Sequence, residues 1–173
     1  MKINARFVNP FIQAGINVVQ QIANIDVRRG HLSYKDQPEP SYGVCIIVGV
    51  YGFLKGQVVY SMKTEVAKRL VDKMLEGKSP EERKLLFLDT LGELANMITG
   101  NATALLSENK DHTLKITTPA IATGENLNIM LVPKPTLILG LYTQYGPIEI
   151  SVALEEDEVL NEIDETERML NEI

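Results

Sequence analysis

Between Ser79 and about Leu106 the chain carries the pattern of one long amphipathic helix, so the rest of the fold must cover that helix's apolar stripe. Ser79-Pro80-Glu81-Glu82 reads as a capping box with proline in the first turn, which specifies the start. At the α-helical advance per residue, Leu88, Leu91, Ala95, Ile98, Ala102 and Leu105 fall on one side. Asp89, Glu93, Asn96 and Gly100 share the opposite side. Polar residues opposite an apolar stripe are ordinary on a surface helix; what stands out is their identity and spacing. The order is D-x3-E-x2-N-x22-P, ending at Pro119, with the small-residue run ITGNATA from Ile98 to Ala104 in between. Glycine inside a helix is disfavoured by about 1 kcal/mol relative to alanine. At Gly100 it either lets another surface approach the Glu93/Asn96 face closely or allows tight packing within the domain.

The remaining chain supplies what such a helix needs. Asn9 as N-cap and Pro10 at the first helical position open an earlier helix, with Ile12, Ile16, Val19 and Ala23 at helical spacing and an end near Asn24 or Asp26. Strand-like segments follow from about Val27 to Tyr34, Gly43 to Val50 and Gln57 to Met62, separated by the QPEP loop and the glycines around Phe53. A second helix spans Glu65 to Leu75 with Gly77 as its stop. After the long helix come the alternating segment His112 to Thr118, which Pro119 should end, and strands up to Leu154 broken by Pro133, Pro135 and Gly146-Pro147. This order predicts an α+β fold, a predominantly antiparallel sheet covered by helices. The segments Thr136 to Tyr142 and Ile148 to Leu154 contain few charges that would block an edge, which predicts that a second copy pairs with the sheet.

Composition narrows the function classes. With 173 residues and 45% apolar content the chain can build one sizeable core, so a single domain over residues 1–154 is expected. No stretch resembles a secretory signal, and the longest apolar run, Val44 to Leu54, is too short and glycine-punctuated to span a bilayer, so a cytoplasmic protein is expected. A net charge of −6 argues against nucleic-acid binding, which needs a basic footprint. Cys45 is the lone cysteine and lies among Val44, Ile46, Ile47 and Val48, which makes it an inert core residue rather than half of a disulfide. His31 and His112 lack companions at ligand spacing, so no protein-bound metal is expected. Residues 155–173 are acidic, with Val159, Ile163, Leu170 and Ile173 at near-heptad spacing, and read as an added amphipathic helix that docks on its own domain or stays partly disordered.

The wording GELANMITGNATALL from Gly92 to Leu106, together with the Asp89, Glu93, Asn96 and Pro119 pattern, resembles the CheC/CheX/FliY family of chemotaxis phosphatases, and most closely its one-site CheX layout. The resemblance runs from Asn9-Pro10-Phe11 to about Leu154. It implies a CheC-like fold and hydrolysis of the aspartyl phosphate on a CheY-type receiver domain. It implies a homodimer, and a Mg2+ carried by the receiver rather than by this chain. It also implies that Glu93 pairs with the receiver's active-site lysine and that a proline such as Pro119 lies beside the active helix. Asp89 would support the docking surface.

The residue types suit that reaction. An acyl phosphate is already labile, and phosphoryl transfer through a loose transition state depends on in-line geometry and charge compensation more than on a strong base. A carboxamide such as Asn96 can accept a hydrogen bond from water and donate another, fixing the attacking oxygen. The alternative is a binding module that docks a receiver or a flagellar switch component without hydrolysis. Sliding the helix back 72 positions sets Asn17, Gln21 and Asn24 under Asp89, Glu93 and Asn96, so the first helix is either a degenerate second site or a coincidence of two amphipathic helices.

Overall fold

The computed structural model describes residues 5–35, 42–108, 114–125, 127, 129, 131 and 136–158. The first helix, α1 (Asn9–Ala23), is entered from a short 3-10 turn, with Val8 rather than Asn9 at the cap position and no side-chain cap. Strands β1 (Val27–Lys35), β2 (Val44–Tyr51) and β3 (Leu54–Met62) follow, then α2 (Thr64–Met74). Gly77, at φ +90, turns the chain away from α2.

The predicted single helix from Ser79 to Leu106 is two: α3 (Pro80–Leu85) and α4 (Phe87–Ser107), divided at Leu86. The capping box at Ser79 forms, with Glu82 N–H donating to Ser79 Oγ and Ser79 N–H donating to Glu82 Oε2 at 2.9 Å, so it caps α3. That N–H and the Lys78 ammonium hold the Glu82 carboxyl below its ordinary range. Helix α3 buries no side chain, so no core contact holds it in line with α4.

Strands β4 (Lys115–Ile116), β5 (Ala120–Thr123), β6 (Thr136–Thr143) and β7 (Gly146–Glu156) complete the described elements. All pairings are antiparallel, in the order β1-β6-β7-β3-β2-β4, with β5 also on β2. This is the α+β architecture that the element order predicted. The edge assignment differs: β6 and β7, expected to expose an edge, are interior strands. The edges are β1 on one side and β4 with β5 on the other. Strand β7 also runs through Glu156, and Asp157 N–H donates to Phe53 O, so the sheet extends past Leu154. The acidic helix anticipated from position 155 otherwise lies outside the described residues, as does the QPEP loop.

Strand alternation sorts the core onto two faces. Val44, Ile46, Val48 and Val50 of β2, with Val58 and Tyr60 of β3, face the layer made by α1, α2 and α4. Gly15 of α1 sits so close to the sheet that a Cβ there would lie 2.9 Å from the Ile150 and Leu141 Cδ1 atoms. Cys45 is buried as expected, but on the reverse face, in a small cluster with Val59, Leu131 and Ala153, its thiol donating to Tyr42 O.

Candidate functional site

Helix α4 packs beside α1 and buries Thr90, Leu91, Leu94, Ala95, Ile98, Thr99, Ala102 and Thr103. Its opposite side leaves Asp89 and Glu93 exposed and Asn96 and Gly100 half-buried. Among the described residues neither carboxylate forms an ion pair. A built Cβ on Gly100 would meet nothing within 4 Å, so packing within the chain does not require glycine there. The result is a rigid mount, anchored by a full buried stripe, that presents an unpaired carboxylate and a carboxamide one turn apart.

The stripe differs from the predicted one at its start. Leu88 is 50% exposed and Leu85 on α3 is 81% exposed. Leu88 lines an open cleft of about 640 Å³ with Phe87, Thr64, Gly43 and the residues Thr123 to Glu125, so the first turn of α4 overhangs the body below it. Periodicity marks which side a residue takes; it does not show where the underlying sheet stops.

Pro119 does not end the strand pairing. Pairing lapses over residues 117–119 and resumes on the same strand, Ile116 with Val50 and Ala120 with Ile47, so one extra residue is accommodated between β4 and β5, as in a β-bulge. Thr117 bridges it, its N–H donating to Gly49 O and its Oγ1 accepting from Gly49 N–H at 2.9 Å. The same stretch follows α4, because Leu114 N–H donates to Ser107 Oγ and Ile121 Cδ1 would lie 4.0 Å from a Cβ on Gly92.

The first helix holds no equivalent constellation. Asn17 and Gln21 are exposed, but α1 stops at Ala23 and Asn24 takes the left-handed cap conformation at φ 49. The counterpart of Asn96 is thus outside the helix, whereas Asn96 lies in mid-helix. Among the described residues no group of three or more His, Cys, Asp or Glu side chains could hold a metal ion, and no helix is long and apolar enough to cross a membrane.

The family model for the chemotaxis phosphatase CheX matches residues 44–139, more than half of the chain and the whole of α4. The chain belongs to the CheX family. The CheY-P phosphatase CheX of Thermotoga maritima is 28% identical over 127 residues, 73% of this chain and 81% of that protein. Among solved structures, a CheC-like superfamily protein from Shewanella sp. PV-4 superposes with a TM-score of 0.76 at 29% identity, covering 88% of this chain and 99% of that one. The CheX–CheY–BeF3–Mg2+ complex of Borrelia burgdorferi matches with a TM-score of 0.74 at 27% identity, covering 90% and 100% of the two chains. The antiparallel sheet with its helical layer is therefore the CheC-like fold.

Tyr60 and the buried threonines of this CheX-family chain were not singled out by sequence reasoning. Tyr60 OH lies 2.8 Å from Thr99 Oγ1 beneath the Asn96 face. The positions of Thr99 and Thr103 in the ITGNATA run were the only trace, and threonine at helix-interior positions is not by itself a signal.

Proposed function

We propose that this protein hydrolyses the aspartyl phosphate of a CheY-type receiver domain, with Asn96 orienting the attacking water and Glu93 anchoring the receiver's active-site lysine. The observation that carries this reading is the occurrence of Glu93, without an ion-pair partner among the described residues, together with Asn96 on the outer face of a firmly buried helix, in a chain of the CheX family. A binding module has use for the carboxylate but not for a water-orienting amide. The receiver brings the Mg2+ and the labile bond; this chain brings position. Asp89 and Gly100 extend the docking face, and Pro119 flanks it. The domain spans the sheet and its helices, the acidic tail is an appendage, and the chain works in the cytoplasm.

The deciding experiment is phosphate release from phosphorylated receivers of the same cell, with and without this protein. Acceleration of one receiver supports the phosphatase; binding without acceleration across all of them favours the docking module.

Gly100 offers a separate check. Gly100→Ala should raise stability by up to about 1 kcal/mol, since the helix gains propensity and the methyl meets open space. Gly100→Leu should instead raise KM for the receiver by obstructing close approach. Thermal melts and steady-state kinetics on the two variants measure these opposite effects.

A homodimer is also proposed, on a different edge from the one read in the sequence. Among the described residues β1 is an edge strand that, despite a register shift between Arg29 and Leu32, pairs along most of its length and exposes Leu32 (41%) and Tyr34 (52%), while pairing on the β4/β5 edge lapses ahead of Pro119. Pairing of β1 with a second copy would cover these side chains and leave both Asn96 faces accessible. Light scattering at micromolar concentration should give twice the chain mass, and Leu32→Lys with Tyr34→Lys should return it to the monomer value.

A further inference from the structure

The contacts that hold α4 on the sheet are mostly apolar and therefore non-directional. Among the described residues, one side-chain hydrogen bond to a strand side chain is the exception. Tyr60 stands on β3, on the face toward the helices, and is 1% exposed. Its hydroxyl lies 2.8 Å from Thr99 Oγ1, and Thr99 Oγ1 lies 2.7 Å from Ala95 O. A carbonyl has no proton to give, so the Thr99 hydroxyl donates to Ala95 O and the Tyr60 hydroxyl must donate to Thr99. Burial pushes the Tyr60 phenol far above its ordinary range, which keeps that proton in place at any physiological pH. The order is fixed: Tyr60 to Thr99 to the carbonyl of Ala95. That carbonyl belongs to the peptide unit whose nitrogen is that of Asn96.

The other hydroxyls of α4 lack this link. Thr90, Thr103 and Ser107 donate to carbonyls at Leu86, Thr99 and Thr103, bonds that stay among neighbouring turns of the helical segment. Among the described residues Thr99 is the α4 hydroxyl that a side chain of the sheet grips in turn. The stripe of Leu91, Leu94, Ile98 and Ala102 anchors the helix, but its contacts carry no preferred angle, so they define its fine rotation and sliding less sharply than its depth. A directional hydrogen bond in a low-dielectric interior resists both. Misplacement by about 1 Å can reduce a reaction rate by a factor of about 100 when geometry is the source of catalysis.

We propose that Tyr60, acting through Thr99, is a positioning residue that sets the rotation of α4 and so the aim of the Asn96 carboxamide. The proposal rests on the phosphatase reading above and adds to it a role for a side chain that does not touch the receiver. Removing the hydroxyl should spoil the orientation of water more than the docking of the partner. A merely structural hydrogen bond would lower stability modestly and leave turnover per folded molecule unchanged.

The test uses the full chain as Tyr60→Phe, Thr99→Val and Thr99→Ser. Each is assayed for kcat and KM on a phosphorylated receiver, and for the side-chain amide NMR signals of Asn96 in the free protein. The first two variants should lose about tenfold in kcat with KM within about twofold of the parent, and should shift the Asn96 amide pair. Thr99→Ser, which keeps the hydroxyl, should restore both. Parental kcat in folded Tyr60→Phe and Thr99→Val overturns the proposal, as does a loss of kcat with the Asn96 signals unmoved. The NMR arm needs no receiver: if the parent protein accelerates no receiver, the functional reading fails while the link from Tyr60 to Asn96 is still decided. If Tyr60→Phe does not fold, the contrast between Thr99→Val and Thr99→Ser carries the same decision.

Discussion

Asn96→Ala should reduce catalysed phosphate release by roughly 100-fold or more, about 2.7 kcal/mol of transition-state stabilisation, while receiver binding survives. The side chain is half-buried in mid-helix, so its removal leaves the α4 backbone and Glu93 in place. Only the groups proposed to hold the water are gone. Orientation can contribute roughly 7 to 11 kcal/mol at most, so a loss of this size is well within range. Glu93→Ala should behave differently, raising KM as well as lowering turnover, because the proposed charge-assisted contact to the receiver's lysine would be lost. Stopped-flow phosphate release and a binding titration against the same receiver, held in a non-hydrolysable activated form, separate the two effects. Undiminished turnover in Asn96→Ala would rule out the mechanism.

Leu139→Ala should destabilise the fold by about 2–5 kcal/mol and lower Tm by roughly 4–20 °C. Leu139 is fully buried on interior strand β6, paired with Leu32 on one side and Ile150 on the other. The cavity left behind has strands on both flanks and cannot readily collapse. With native stabilities of about 5–15 kcal/mol, this is a large share of the total. Leu85→Ala deletes the same atoms from a side chain 81% exposed and should change stability by no more than about 0.5 kcal/mol. Differential scanning calorimetry on both variants checks the contrast, and turnover per folded Leu139→Ala molecule should match the parent below its transition.

Local pattern carried much of the architecture. The spacing of Leu91, Ala95, Ile98 and Ala102 against Asp89, Glu93, Asn96 and Gly100 is a property of one helix, so the two sides of α4 were legible before any tertiary contact was known. The same holds for the turn glycine at position 77 and the cap at Ser79. Strand order is different in kind. Thr136 to Tyr142 and Ile148 to Leu154 look alike whether they lie inside a sheet or on its rim, because order is decided by partners far away in sequence. The division at Leu86 was hidden for a related reason: capping and periodicity continue smoothly across it, and only the absence of anything for α3 to bury reveals it. Pro119 shows the limit most plainly. A proline does interrupt a ladder, but here the chain absorbs it as a bulge and resumes pairing with the same strand. The Tyr60–Thr99 contact joins residues 39 apart and left no mark in either local sequence.

The early end of α1 sets a valence. Two helices of one fold lie side by side, yet the left-handed turn at Asn24 withdraws the amide that would complete a second copy of the constellation. On the proposed function each chain then offers one docking place, so a titration with activated receiver should saturate at one equivalent per chain, however many chains assemble. Such a protein responds to receiver concentration along a simple hyperbola, without the sharpening that two linked sites in one chain would add.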